Sequence, residues 1–331
     1  MIKVEKFFQT LKKNKIKFFT GVPDSVLKKF LFRLEKLNSK NHIESFNEGS
    51  ATSIAIGHYL ATKEIPCVYM QNSGLSNAIN PLISIAHQKV YSIPLLLLIG
   101  WRGSPYVEKD EPQHNLKGKI TREILKLLGI KFIILRNDTD LKKIKALIKF
   151  SKTNKRAVAI LVENKTLKGE KKVPRIKKLK SLSISREILI NSLLKIIKKN
   201  SKIISTTGFT SRELYQIRKN ENLNNGKDFY MVGGMGHSLS VSLGYSLSKN
   251  CEVICLDGDG SILMHLGSMR TGGIFGNKNL KHIILNNFEH ESVGGQRTYA
   301  ENMQFTKIGK SLGYKNVFII KNIKQLKLNF K

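Results

Sequence analysis

The sequence predicts an α/β protein made of two doubly wound parallel-sheet domains. Three observations carry this. Strand-like apolar runs alternate with helical patterns in both halves of the chain, as in βα units forming a parallel sheet covered on both faces. A polar, basic stretch at 166–182 containing Pro174 lies between the halves and has the composition of a linker. With 331 residues, 41% of them hydrophobic, the chain can bury two such cores.

The elements follow in order. In the first domain, 1–168, helices are expected at 1–13, 24–37, 48–62 and 75–87. Strands are expected at 16–19, 42–46, 65–70, 93–99 and 157–162. The segment 101–115, with Pro105 and Pro112 among charges, reads as a loop. Asp24 or Ser25 can cap the helix behind it. After a linker at 169–182, the second domain at 183–331 opens with a helix at 185–199. Its strands are expected at 203–205, 229–232, 252–256, 282–285 and 317–320.

Bulk properties narrow the function classes. The longest apolar run, Ile93 to Ile99, is far short of the ~20 residues of a membrane helix. The first 19 residues are amphipathic and broken by lysines, unlike a signal peptide, so a cytoplasmic protein is expected. Cys67, Cys251 and Cys255 have no zinc-ligand companions at suitable spacing. Cys251 and Cys255 are expected on one strand as reduced core residues. The formal charge of +33 fits a nucleic-acid binder driven by charge, as a remote alternative. Lysine greatly outnumbers arginine, however, and is scattered through the chain, whereas base readers favour arginine. No nucleic-acid or membrane partner is expected.

The most informative residues sit where strands end. The run 251–256 leads into Asp257-Gly258-Asp259-Gly260-Ser261, and the run 282–285 ends in Asn286-Asn287. This places a carboxylate and a carboxamide at the carboxyl ends of two strands, one helix-sized segment apart. Hard oxygen ligands held this way suit a Mg²⁺ carrying a diphosphate. Asp259, Asn287 and the backbone carbonyl of Glu289 form the expected ligand set. Gly258 and Gly260 would allow tight turns and close approach of an anion. Ser261 would cap the next helix, whose N-terminus favours negative charge.

The spacing from Asp259 to the Asn pair resembles the diphosphate motif of thiamine-diphosphate enzymes. Such enzymes also need a buried glutamate beside the aminopyrimidine. Glu48 fits, following a strand and opening a helix poor in charge; its carboxyl should have a raised pKa. Glu44 competes, but its place within the strand suits the role less well. Further blocks make the resemblance narrower: Gly21-Val22-Pro23-Asp24-Ser25, Gln71 to Ala78, Asp110-Glu111-Pro112-Gln113-His114, Thr207 to Leu214, Gly234-Met235-Gly236-His237 and His290 to Gln296. Together they resemble the phosphonopyruvate decarboxylase family from about Gly21 to Tyr314, with sulfopyruvate decarboxylases as near relatives.

The resemblance implies the thiamine-diphosphate-binding fold, with a pyrimidine-binding domain, then a diphosphate-binding domain and no middle domain. It implies thiamine diphosphate and Mg²⁺ as cofactors and a small anionic 2-oxo acid as substrate. The activity would be non-oxidative decarboxylation of 3-phosphonopyruvate to phosphonoacetaldehyde in phosphonate biosynthesis; sulfopyruvate or another 2-oxo acid is the alternative. Gly234 would accept the pyrimidine amino group on its backbone, and Met235 would wedge the cofactor into its bent form. Thr207 and Gly208 would line the diphosphate. Gln113 and His114 would sit over the substrate, with Asp24, Ser25 and Asn72 as further candidates. Arg102, Lys109, Arg212, His290 or Arg297 would hold the phosphonate. A homo-oligomer with its active site shared between subunits is also implied. Family members usually run on beyond the last strand, so the second domain is expected to be C-terminally shortened. Phe209 and Phe288 stand where smaller or polar residues are expected, which would narrow the cofactor entry.

Overall fold

A computed structural model describes residues 1–107, 110–171, 184–220 and 228–330. The chain divides into two compact units, 1–175 and 176–331. Most of the expected linker lies outside the described residues.

The first unit contains β1 (Ile2–Lys3), α1 (Val4–Lys13), β2 (Phe19–Gly21), α2 (Lys28–Leu34), β3 (His42–Glu44), α3 (Glu48–Thr62), β4 (Cys67–Gln71), α4 (Leu75–Pro81) and β5 (Leu96–Trp101). It continues with α5 (Pro112–Leu127), β6 (Lys131–Leu135), α6 (Leu141–Asn154), β7 (Val158–Glu163) and β8 (Leu167–Lys168). Six strands form a parallel sheet in the order β3-β2-β4-β5-β7-β6. Strands β4, β5 and β7 are apolar and buried along most of their length, as strands covered on both faces require. α1 buries Val4, Phe7, Phe8 and Leu11. That spacing puts all four on one helical stripe, and burial contributes about 1.5–3 kcal/mol for each large side chain. α3 has the bounds expected from sequence. Asn47 caps it by accepting the Gly49 and Ser50 N–H groups, and Lys63 ends it in the left-handed conformation.

The second unit contains α7 (Arg186–Leu194), β9 (Lys202–Ser205), α8 (Phe209–Asn220), β10 (Phe229–Tyr230), α9 (Ser238–Ser248), β11 (Val253–Gly258), α10 (Asp259–Met264), α11 (Gly267–Phe275) and β12 (Leu280–Leu285). The hairpin strands β13 (Glu289–His290) and β14 (Gln296–Arg297) follow, then α12 (Phe305–Ser311) and α13 (Ile323–Asn329). Its parallel sheet runs β10-β9-β11-β12. Among the described residues no helix is long and apolar enough to cross a membrane.

Several expectations need correction. Residues 75–87 are not one helix: a 3₁₀ turn at Asn72–Gly74 leads into α4, and a π-helical turn follows at Leu82–Ala86. Pro81, which cannot donate a backbone N–H, sits at that change. The supposed loop 101–115 ends early, because Pro112 opens α5; proline suits a helix's first turn, where its missing N–H costs nothing. Cys251 lies ahead of β11 and is only half-buried, whereas Cys67 and Cys255 are buried; all three are free thiols. Residues 317–320 form no strand. Phe318 and Ile319 are more than half exposed, because a short apolar run becomes a strand only if a neighbour completes its ladder.

Candidate active site

In the first unit, the segments of interest leave the carboxyl ends of adjacent strands. Asp24 follows β2, Glu48 follows β3, Asn72 follows β4 and Arg102 follows β5. The strand order reverses between β2 and β4, and open α/β sheets bind ligands at that place.

Glu48 is the first residue of α3 and is 4% exposed. Its Oε2 accepts a hydrogen bond from Asn77 Nδ2 at 2.8 Å. Its Oε1 faces Gly74, where an added Cβ would approach to 2.0 Å. Burial raises the carboxyl pKa, and the Asn77 bond and the charge of Lys117 offset this only in part. Asn72 braces the same turn: its amide donates to Arg102 O at 2.9 Å and Thr121 Oγ1 at 3.0 Å, and its oxygen accepts Arg102 N–H. With its amide taken up by protein partners, Asn72 positions the backbone instead of facing a ligand.

Asp24 is fully buried. Oδ2 accepts the Leu27 N–H at 2.9 Å, so it does satisfy a donor ahead of α2, but among the described residues Oδ1 has no partner. A Cβ at Gly100 would lie 1.9 Å from Oδ2. Burial lifts the Asp24 pKa to about 6, against the Leu27 N–H and then more distant donors and Arg102. Arg102 forms a bidentate pair with Asp110, at 2.6 and 2.5 Å, and donates to Ser25 Oγ at 3.2 Å. This pairing, chiefly the hydrogen bond from Arg102, holds the Asp110 carboxyl well below the usual range.

Gln113 and His114 lie on the first turn of α5. Gln113 donates to Glu111 Oε2 at 2.7 Å. His114 is 9% exposed, among the described residues its Nδ1 has no partner, and its Nε2 is 3.8 Å from Glu111 Oε2. Burial and then the Arg102 charge lower its pKa, so it is neutral near pH 7. α5 is tied down by Trp101 Nε1 donating to Gly118 O at 2.9 Å and by the Asn72–Thr121 bond. Two participants here receive no role from the sequence alone. Asp110 is informative only once its arginine is known, and Lys117 is one lysine among many.

In the second unit, Asp259 opens α10 and is 2% exposed. Oδ2 accepts from Thr298 Oγ1 and from the Phe288 N–H, the latter at 3.1 Å. Burial raises its pKa, while Thr298 and nearby backbone N–H groups pull it back. The Phe288 contact folds the 287–289 turn onto Asp259, with Phe288 in the left-handed region at φ 64°. Asn287 and Glu289 therefore flank the aspartate. Carboxylate, carboxamide and carbonyl groups are donor types that suit a hard divalent cation, and here the Asn287 oxygen accepts the Glu289 N–H at 3.2 Å. They line one end of a cleft of about 1410 Å³ that also touches Thr207 and Met235.

The glycines and Ser261 act differently from expectation. Gly258 caps α10 in ordinary extended backbone, φ −118°. Gly260 is required by crowding: a Cβ there would meet the His290 ring at 2.6 Å. Ser261 is no cap. It already lies inside α10, and its Oγ accepts from Thr206 Oγ1 at 2.9 Å and from Gly236 N at 3.1 Å. It thereby ties the ends of β9 and β11 to the Gly234-Met235-Gly236 turn, in which both glycines have positive φ. Gly208, at φ 95°, packs toward Ser292. Behind this turn, Asp257 and Cys255 on β11 meet His282 on β12. His282 Nε2 is 3.5 Å from Asp257 Oδ2, and His282 Nδ1 is 3.1 Å from Tyr314 Oη.

The remaining cation candidates fare unequally. His290 is buried and its pKa falls to about 4, so it carries no charge near pH 7. Arg297 pairs with Glu301, and Arg212 lies over the Phe209 ring at 5.8 Å. Lys109 lies outside the described residues.

Comparison with known proteins matches both units. A model described as the thiamine pyrophosphate enzyme N-terminal TPP binding domain fits residues 3–121, and its C-terminal counterpart fits 205–331. The chain is 33% identical over 312 residues to a phosphonopyruvate decarboxylase from Streptomyces viridochromogenes, covering 90% of this chain and 76% of the relative. The chain belongs to the phosphonopyruvate decarboxylase family. It is a thiamine-pyrophosphate-dependent decarboxylase with two TPP-binding domains. This decarboxylase is also 29% identical over 317 residues to a sulfopyruvate decarboxylase from Methanosarcina acetivorans, covering 89% and 78%. It is 40% identical over 112 residues to the sulfopyruvate decarboxylase subunit beta of Methanothermobacter thermautotrophicus, covering 34% and 58%.

Proposed function

We propose that the chain decarboxylates 3-phosphonopyruvate to phosphonoacetaldehyde with thiamine diphosphate and Mg²⁺, as a step of phosphonate biosynthesis. Glu48 carries this reading: a buried helix-opening carboxylate at the strand-order reversal, its pKa raised by burial above the usual carboxylate range, is suited to exchange a proton with the coenzyme. Asp259, Asn287 and the Glu289 carbonyl would hold Mg²⁺. Thr207, Gly208, Gly258, Gly260 and Ser261 would shape the diphosphate seat, and Gly234 and Met235 would meet the rest of the coenzyme. When bound, the coenzyme supplies the nucleophilic carbon and the electron sink. Overall, the bond between carboxylate and keto carbon breaks, CO₂ leaves, and that carbon takes up one proton. Asp24, partly protonated near neutral pH, is the group that can deliver it, neutral His114 would orient a water beside it, and Gln113 and Ser25 would orient the substrate. The residues 1–168 would form the pyrimidine-binding domain and 183–331 the diphosphate-binding domain.

Sulfopyruvate is the second reading, supported by the match to a relative of that name along 89% of the chain. CO₂ release from both acids, with and without coenzyme and Mg²⁺, tests the proposal. Equal or reversed preference would remove phosphonopyruvate. We also propose a homo-oligomer in which each active site draws on two subunits. Mixing Glu48→Gln with Asp259→Asn protein should then restore part of the activity that each variant lacks alone.

A further inference from the structure

3-Phosphonopyruvate places its phosphorus only two bonds from the keto carbon. The cation that holds the phosphonate must therefore lie beside the groups that serve that carbon. Of the basic side chains singled out by sequence, Arg102 comes nearest, but it is committed. Its bidentate pair with Asp110 and its contact with Ser25 hold the turn after β5. Diverting it to a ligand would strand a partly buried carboxylate without its partner. Arg212 and Arg297 both already have partners.

Lys117 meets the requirement. It lies one turn beyond His114, on the face of α5 that also presents Gly118 and Thr121 to the protein. That face is pinned by Trp101 to Gly118, by Gly118 packing on the Gly103 carbonyl, and by Thr121 to Asn72. Asn72 opens the turn that ends in Gly74, and Gly74 packs on Glu48. Lys117 is half-buried, and among the described residues its ammonium has no hydrogen bond or ion pair. It is near enough to act electrostatically on both Glu48 and His114.

Resting on the decarboxylase reading above, we propose that Lys117 binds the anionic head of the substrate and sets the preference for 2-oxo acids with a charged tail. A lysine suits this as a compact cation with three donors and a flexible stem.

The test uses the full chain with coenzyme and Mg²⁺. First, the kcat/KM ratio of 3-phosphonopyruvate to 2-oxobutyrate is measured for the native protein, Lys117→Met and Lys117→Arg. The ratio should fall about 30-fold or more in Lys117→Met, mainly through KM, and largely recover in Lys117→Arg. Were Lys117 only tuning Glu48 or supporting the fold, both acids would suffer alike and the ratio would hold, which overturns the proposal. Second, calorimetry measures binding of unreactive 3-phosphonopropionate, which should weaken at least tenfold in Lys117→Met. If the native protein turns over no phosphonopyruvate yet binds this analogue through Lys117, the substrate reading fails and the anion site stands. Binding that ignores Lys117 overturns the site whatever the substrate is.

Discussion

Glu48 and Asp259 make an instructive pair. Each is a buried carboxylate that opens a helix just after a parallel strand, and burial raises the pKa of each. Their surroundings differ. Glu48 receives one side-chain hydrogen bond, from Asn77, and faces a bare glycine. One oxygen of Asp259 receives both the Thr298 hydroxyl and the Phe288 N–H, with an asparagine and a carbonyl alongside. Donors stabilise the charged form, so the surroundings of Asp259 oppose the effect of burial with more groups than those of Glu48 do. On the function proposed above, the same local motif would serve as a proton carrier in one unit and as a cation ligand in the other.

The largest expected effect separates these roles. Glu48→Gln should lower turnover by about 10²–10⁴-fold while calorimetry still detects coenzyme uptake. If uptake disappears as well, the two sites do not divide the work this way. Next comes the neighbouring acid of the first unit. Asp24 holds its proton more tightly folded than unfolded, so its stabilising contribution is complete below about pH 4 and is lost as pH rises through about 6. Asp24→Asn should therefore be more stable than the native chain at pH 7.5, by up to about 3 kcal/mol, and no different at pH 3.5. Urea unfolding at the two pH values checks this.

Two smaller tests sharpen the contrast. Thr298→Val removes a donor to Asp259 while keeping its shape, and should raise the Mg²⁺ concentration for half-maximal coenzyme binding about 10–100-fold. Asn77→Ala removes the side-chain donor to Glu48. The acidic limb of the kcat profile should then move to higher pH by about one pH unit. A move in the opposite direction would mean that another group governs that limb.

The parts legible in sequence were those encoded locally. α3 could be bounded because a run of small and apolar residues starts directly after a strand; its Asn47 cap was not read. Asp259 and Asn287 stand out in the sequence because strand, turn and helix follow one another in a short span, and the structure keeps that order. Pairings across the fold were not legible. Asp110 meets Arg102 only because the turn after β5 doubles back. Ser261 looks like a cap until Thr206 and Gly236 are brought against it. His114 was assigned to a loop because prolines were read as breaks, although Pro112 starts the helix. Residues 317–320 read as a strand because apolar character carries no information about a pairing partner.

Two glycines confront acids so closely that no side chain fits between them: Gly74 against Glu48, and Gly100 against Asp24. This constrains how such chains can diverge. A larger residue at 74 or 100 is open only to a descendant that has already given up the facing acid, so the order of mutations matters. Either glycine, met in an uncharacterised homologue, therefore testifies to the acid across from it, and its replacement marks a lineage that has left this chemistry.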